Sequence, residues 1–176
     1  MILNNYYNMC KQLYTQFTPS NPDKGTPVIL TNGSSSTGYG RDRDPLIFCL
    51  NSIASTYIKT TLPGTSTENG LGTNIVFGTN DTPPTPDDFT TDAISNINFV
   101  SGSISNVDSK SSKVEIIFKN NNKSAITIKD VLICSNASYG TSTSVRPAIF
   151  REVFPQPITV EAGQNFTFKL TKSYGD

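Results

Sequence analysis

The stretch VEIIFKNNNKSAITIKDVLI, residues 114–133, holds two apolar runs separated by a run of asparagines. Over Val114–Phe118 the apolar side chains recur with a period of two, which indicates a strand with one face turned to a core. Asparagine tolerates left-handed backbone angles, and the apolar pattern resumes at Ile126 after the asparagine run. The stretch therefore predicts an antiparallel hairpin with a bulge at Lys129–Asp130.

The C-terminal part of the chain repeats this arrangement. A short run, Pro157–Val160, precedes the turn residues Glu161–Gln164. After the turn, Phe166, Phe168 and Leu170 alternate with polar residues, so their side chains would share one face of a strand. We therefore predict a second hairpin in this region.

Short strands joined by turns rich in Gly, Pro and Asn are typical of two-sheet antiparallel sandwiches and jelly rolls. A chain of 176 residues with 35% hydrophobic content can bury one principal core. The predicted fold is all-β: an antiparallel β-sandwich, jelly-roll-like, with a short N-terminal helix or arm. The helix or arm and its linker would occupy residues 1–25, and the sandwich would occupy residues 26–176.

Apolar residues near the N-terminus recur three and four positions apart, as they do on one stripe of a helix. These residues are Tyr6, Met9, Cys10, Leu13, Tyr14 and Phe17. Pro19 would end the helix, and a polar run then separates it from the rest of the chain. Two interpretations stay open: the helix packs on its own domain, or it docks as an arm on a neighbouring subunit. In the second, Tyr6, Leu13 and Phe17 are the candidate interface residues.

The charge balance argues against two classes of partner. Lys plus Arg and Asp plus Glu are each 14, and charged residues make up 16% of the chain. No cationic surplus favours nucleic acid or an anionic membrane, so neither is an expected partner. No apolar run approaches the roughly 20 residues that a membrane-spanning helix needs, and no signal peptide is recognisable. We expect the chain to fold in a cytoplasm, with its three cysteines as buried thiols.

The sequence offers no catalytic constellation. It contains no histidine, which excludes Ser-His and Cys-His nucleophiles and histidine-ligated zinc. Carboxylates are present, but their spacing selects no pair for glycoside hydrolysis. We therefore predict no enzymatic activity, no catalytic residue and no cofactor.

Three aspartates around a proline-rich segment allow two interpretations. Asp87 and Asp88 would cap the following turn through their side-chain oxygens. Alternatively, they would join Asp81 and backbone carbonyls around a calcium ion, although no EF-hand spacing is present. The first interpretation requires fewer convergent oxygens, so no metal site is predicted.

Several segments together resemble small virion proteins of tailed bacteriophages and prophages. In chain order they are Ile75–Thr79, Thr82–Phe89, Ile126–Val131, Ala148–Phe154, Ile158–Gly163 and Phe166–Phe168. The resemblance covers residues 70–172, and the first 70 residues do not extend it. It implies a β-sandwich that serves as a tail, head-decoration or fibre-attachment component, assembles as symmetric copies and has no enzymatic activity.

The partners that this resemblance implies are other phage virion proteins and further copies of the same chain, within the virion. A host surface receptor is a third candidate, because a receptor- or carbohydrate-binding module is the alternative function. Tyr39, Tyr57 and Tyr139 lie in or near polar segments, where a ring could stack on a sugar. Symmetric copies would strengthen such weak binding by avidity.

Overall fold

The computed structural model describes residues 1–4, 28–29, 31–36, 58–63, 73–108, 111–134, 137–139, 143–145 and 147–173. Within these residues it defines the strands β1 (Val28–Ile29), β2 (Ser35–Ser36), β3 (Ile58–Lys59), β4 (Thr73–Gly78), β5 (Ile97–Asp108), β6 (Ser111–Asn120), β7 (Ile126–Cys134), β8 (Ala137–Tyr139), β9 (Thr143–Val145), β10 (Ala148–Val160) and β11 (Asn165–Ser173). The predicted all-β fold is confirmed.

Two sheets form the main part of the chain that the structure describes. One has four strands in the order β10-β7-β4-β3, and the other has three in the order β11-β6-β5. All neighbours in these sheets are antiparallel except β3 and β4, which pair in parallel over two residues. The strands β1–β2 and β8–β9 form two small antiparallel ribbons.

Aromatic side chains from both sheets meet between them. The ring of Phe77 on β4 lies 4.9 Å from Phe118 on β6 and 5.0 Å from Phe166 on β11, both edge to face. Phe77 is also edge to face with Phe168, at 6.0 Å. Such geometry suits the ring quadrupoles, and Phe77 therefore links the two sheets through the centre of the core.

The predicted strand faces are confirmed. Val114, Ile116 and Phe118 are fully buried in this core. Phe166 and Phe168 pack against the same core from β11, whereas the polar residue between them is exposed.

Both predicted hairpins, by contrast, are wrong. The strand β6 pairs with β5 and β11, while β7 pairs with β4 and β10, so the chain crosses between the sheets after β6. It crosses back after β10. The β6–β7 segment and the β10–β11 segment thus run side by side as one antiparallel ribbon folded over both sheets, as in jelly rolls.

Asn120 shows why these turns cross between sheets. Its buried side chain donates a hydrogen bond to the carbonyl of Val160 at 3.0 Å and accepts one from the backbone amide of Asn122 at 2.9 Å. Its own backbone amide donates to Gln164 at 3.0 Å, and Gly163 donates back to it at 2.8 Å. The first crossover therefore bonds to the second, instead of closing a hairpin on itself.

The structure has a bulge at the predicted position on β7, Lys129–Asp130, but the extra residues lie on the partner strand β10. Asp130 pairs with Val153 and Ile128 pairs with Ile158, so Phe154–Pro157 of β10 lies opposite Lys129 alone. Pro155 and Pro157 fall within this segment, where a missing amide donor disrupts no ladder.

The first residues of the chain pack on the four-stranded sheet. Leu3 donates a backbone hydrogen bond to Ile149 at 2.9 Å, and Arg151 donates one to Met1 at 3.0 Å, so residues 1–3 lie along β10. Leu3 is fully buried with Val76 and other apolar side chains on the face that points away from the three-stranded sheet. This face is called the outer face below.

The predicted helix over Tyr6–Phe17 lies outside the described residues, and the division at residue 25 stays a prediction. Of the three cysteines, Cys134 is described and is buried on the outer face.

Replacing Phe77 by alanine should lower the free energy of unfolding by about 3–5 kcal/mol, because the ring contacts both sheets and no neighbour can fill its volume. Denaturation by urea measures this. Val100→Ala is the control, since Val100 is 48% exposed and its loss should change stability by less than about 0.5 kcal/mol. Similar values for the two variants would show that Phe77 is not at the centre of the core.

Candidate functional site

A buried ion pair lies on the outer face of the four-stranded sheet. Arg151 on β10 is 2% exposed and Asp130 on β7 is fully buried. The Nε of Arg151 donates to Oδ2 of Asp130 at 2.9 Å. A charge removed from water is costly unless it is paired and hydrogen-bonded, so the two residues depend on each other.

The segment between β4 and β5 covers this ion pair. Residues 79–92 are called the proline loop below. From this loop Asp88 accepts a hydrogen bond from Nη1 of Arg151 at 2.6 Å, and Thr91 donates one to Oδ2 of Asp130 at 2.7 Å. The carbonyl of Asn80 lies 3.4 Å from Nη2 of Arg151. Arg151, Asp130, Asp88 and Thr91 together are called the Arg151 cluster.

The turn within the proline loop positions Asp88. Its carboxylate accepts from the backbone amide of Thr85 at 3.1 Å and from the Thr85 hydroxyl at 2.7 Å. Asp88 thus binds the residues before it, whereas the sequence predicted that it would cap the turn after it. Burial raises the pKa of Asp88, but hydrogen bonds from Arg151 and Thr85 outweigh that effect and bring the pKa below its usual value of 3.8.

The same contacts shift the pKa of the Arg151 guanidinium in the opposite direction. Burial lowers the pKa of Arg151, but its hydrogen bonds with Asp88 and Asp130 outweigh burial and raise the pKa above its usual range. Arg151 therefore stays charged at neutral pH.

A glycine makes room for the Arg151 cluster. A Cβ atom on Gly78 would lie 2.1 Å from the hydroxyl of Thr91 and 2.3 Å from Oδ1 of Asp130. Both distances are well inside van der Waals contact, so any other residue at this position would displace the loop or the carboxylate. The glycine that ends β4 is thus required by the close approach of the proline loop.

The N-terminal segment bonds to the same loop. The backbone amide of Asn4 donates to the carbonyl of Pro86 at 2.8 Å, and its side-chain amide donates to Asp87 at 2.9 Å. Since residues 1–3 also lie along β10, the proline loop, the N-terminal segment and β10 hold one another in place.

The three aspartates considered for calcium do not converge. Asp81 pairs with Lys129 at 2.7 Å, Asp87 accepts from Asn4, and Asp88 belongs to the Arg151 cluster. Among the described residues, no group of three His, Cys, Asp or Glu side chains could hold a metal ion. The calcium interpretation therefore has no support from the geometry.

The predicted interface residues Tyr6, Leu13 and Phe17 lie outside the described residues, and so do Tyr39 and Tyr57. Tyr139 lies on β8, but its side chain is outside what the structure describes. The docking and sugar-stacking hypotheses therefore stay predictions.

The Arg151 cluster was not predicted from the sequence, although a signal for it exists. Asp130 directly precedes the apolar run Val131–Cys134 of β7, and Arg151 directly follows the apolar run Ala148–Phe150 of β10. A charged residue in such a position requires a partner, but the sequence does not show which residue supplies it.

The chemistry of the cluster is that of a structural anchor. Arg151 and Asp130 have almost no contact with solvent, so a dissolved substrate cannot reach them. Oδ1 of Asp130 has no hydrogen-bond partner among the described residues. The Arg151 guanidinium is therefore the main group that compensates the charge of the Asp130 carboxylate. One cation shared by two carboxylates ties β7, β10 and the proline loop together.

No protein-family model, curated protein or solved structure matches the chain. In the part of the chain that the structure describes, no helix has both the length and the apolar character to cross a bilayer. The resemblance to virion proteins stays a prediction from the sequence.

Replacing Arg151 by methionine should lower the free energy of unfolding by about 3–5 kcal/mol, because it leaves the Asp130 carboxylate buried without a cation. Chemical denaturation at neutral pH measures this. Adding Asp130→Asn should restore part of the loss, since the remaining group is then neutral. Lys129→Met is the control: it removes the exposed pair with Asp81, and its effect should be far smaller. Equal losses in Arg151→Met and Lys129→Met would contradict an anchoring role.

Acid should remove the contribution of Asp88 to stability. Because the pKa of Asp88 is lower in the folded protein than its usual 3.8, the unfolded chain binds the proton more readily. The stabilisation is therefore complete above about pH 5 and is lost as the pH falls through the folded-state pKa. The difference in unfolding free energy between the wild type and Asp88→Asn should shrink over this acid range. A difference that does not vary with pH would show that the carboxylate charge is not involved.

Proposed function

We propose that the chain is a structural component of a bacteriophage particle, associated with the tail, neck or capsid, and that it acts through subunit contacts in a symmetric assembly. The Arg151 cluster is the observation that carries this proposal. It fixes a loop of low apolar content on a β-sandwich without building a solvent-accessible reactive centre.

Rigidity supports a role in assembly. Pro83, Pro84 and Pro86 restrict the backbone of the proline loop, and Asp88 and Thr91 bond it to the sheet beneath. A surface that is already ordered loses little conformational entropy when a neighbouring subunit binds. The loop therefore has the properties of a preformed contact surface.

The position of Asn4 supports a role for the candidate N-terminal arm in subunit contacts. Asn4 bonds to Pro86 and Asp87, so the chain that follows it begins beside the proline loop. Tyr6, Leu13 and Phe17 belong to that following segment. A subunit bound at the loop would thus be near the start of the candidate arm.

The test is incorporation into particles. Replacing Tyr6, Leu13 and Phe17 together by serine should reduce the number of copies per purified particle by at least about tenfold, because apolar anchors dominate such contacts. Quantitative mass spectrometry of particles from the encoding strain measures this. Residues 1–4 must be retained, since removing them would expose β10 and the outer face.

The matched control is Tyr6→Phe, Leu13→Met and Phe17→Leu, which keeps the apolar character and should preserve incorporation. Absence of the wild-type chain from particles would overturn the proposal as a whole. Full incorporation of the serine variant would remove the docking role of the arm. Inhibition of phage adsorption by the purified protein would favour the receptor- or carbohydrate-binding alternative.

A further inference from the structure

The four-stranded sheet has edges that resist pairing with another chain. Residues 1–3 cover the first half of β10, and Pro155 and Pro157 interrupt its second half. At the other edge, β3 consists of two residues, Ile58–Lys59. Short strands, prolines and covering segments are known protections of sheet edges.

The two edges of the three-stranded sheet differ from each other. Along β5 the register with β6 shifts twice, at Val100 and at Val107, so this edge is interrupted by bulges. By contrast, β11 pairs with β6 over nine consecutive residues without a shift and contains no proline. Among the described residues, β11 is thus a long, regular edge with no proline, bulge or covering segment. An edge of this kind is a template for another strand.

The side chains of β11 indicate what such a strand must supply. Phe166, Phe168 and Leu170 pack on the core but are only partly buried. Thr167 and Lys169 on the opposite face are exposed. A neighbouring strand that alternates in the same way would cover the three apolar residues and leave the polar ones in water.

We propose that β11 pairs antiparallel with β11 of a second copy of this chain, about a two-fold axis at Phe168. In this register Phe168 lies opposite the partner's Phe168, Phe166 lies opposite the partner's Leu170, and Thr167 lies opposite the partner's Lys169. The two three-stranded sheets become one six-stranded sheet with an isologous interface. The inference rests on the proposed function, for which it names one surface of self-association.

The lysine charges and the alternation of apolar and polar residues on β11 select this register. A shift of the axis by half a residue would place apolar side chains opposite polar ones on the wrong face. An axis at Lys169 would set two lysines directly opposite each other, which is unfavourable. With the axis at Thr167, Leu170 would lie opposite Gln164, beyond the strand. The axis at Phe168 pairs all three apolar residues and opposes no like charges.

The experiment changes Thr167 in the full chain and measures the dimer dissociation constant by sedimentation equilibrium. Because of the two-fold axis, Thr167→Lys places two lysine pairs across the interface and should weaken the dimer about tenfold. Thr167→Glu creates two opposite-charge pairs with the partner's Lys169 and should strengthen the dimer at low salt. That gain should disappear at about 1 M salt.

Ser101→Lys is the matched control. Ser101 on β5 and Thr167 on β11 both pair with Ile117 of β6, so they occupy the same row at opposite edges of the sheet. Both are exposed, and each substitution adds the same charge. Ser101→Lys should leave the dissociation constant unchanged, and thermal denaturation would verify that every variant is folded.

Three outcomes would overturn the inference: a wild-type chain that is monomeric at all concentrations, equal effects of Ser101→Lys and Thr167→Lys, or changes in the same direction for Thr167→Lys and Thr167→Glu at low salt. Its failure is distinguishable from failure of the proposed function. A chain that is found in particles but does not dimerise through β11 would refute only the inference. A dimer that behaves as expected but is absent from particles would refute the proposed function.

Discussion

The burial of the Arg151 charge against Asp130 is the constraint on which the outer face of the sandwich depends. Arg151 lies on β10 and Asp130 on β7, and both side chains point away from the main core. An ion pair on an uncovered sheet would be solvated and weak. Here the proline loop excludes water, and Asp88 and Thr91 from that loop provide the further hydrogen bonds that a buried pair needs.

The strand β4 is buried on both faces. Phe77 faces the three-stranded sheet, while Val76 faces Leu3 on the outer face. The proline loop contains one large apolar side chain, Phe89, so its order depends on specific bonds to the Arg151 cluster. Gly78 permits those bonds, because a side chain there would meet both Thr91 and Asp130. Gly78, the last residue of β4, is thus required for the position of the proline loop that follows it.

The sequence predicted strand faces well and strand partners poorly. Alternation over β6 and β11 depends only on the local side-chain period, so the core residues of both strands were recognisable. The turns after β6 and β10 were interpreted as hairpins because a turn sequence does not show whether the chain stays in its sheet. That choice depends on Asn120 bonding to Val160, 40 positions away. Arg151 and Asp88 are 63 positions apart, and only folding brings them together.

The two sheets present different chemistry to their surroundings. The outer face of the four-stranded sheet is covered by the proline loop and residues 1–3, and its ion pair between Arg151 and Asp130 is buried. The three-stranded sheet has a polar outer face, where Glu115 bonds to Lys113 at 3.0 Å and to Lys169 at 3.2 Å. These exposed pairs stabilise little, but they keep that face polar up to the edge strand β11, whose apolar side chains lie on the core side. Contacts at the proline loop and at β11 would therefore differ in type. Contacts at the proline loop would use a rigid surface held by the buried ion pair. Contacts at β11 would use backbone hydrogen bonds along a strand. Because separate sheets provide them, both could be occupied at once, which is the geometric requirement for a subunit that joins its own copy to other parts of an assembly.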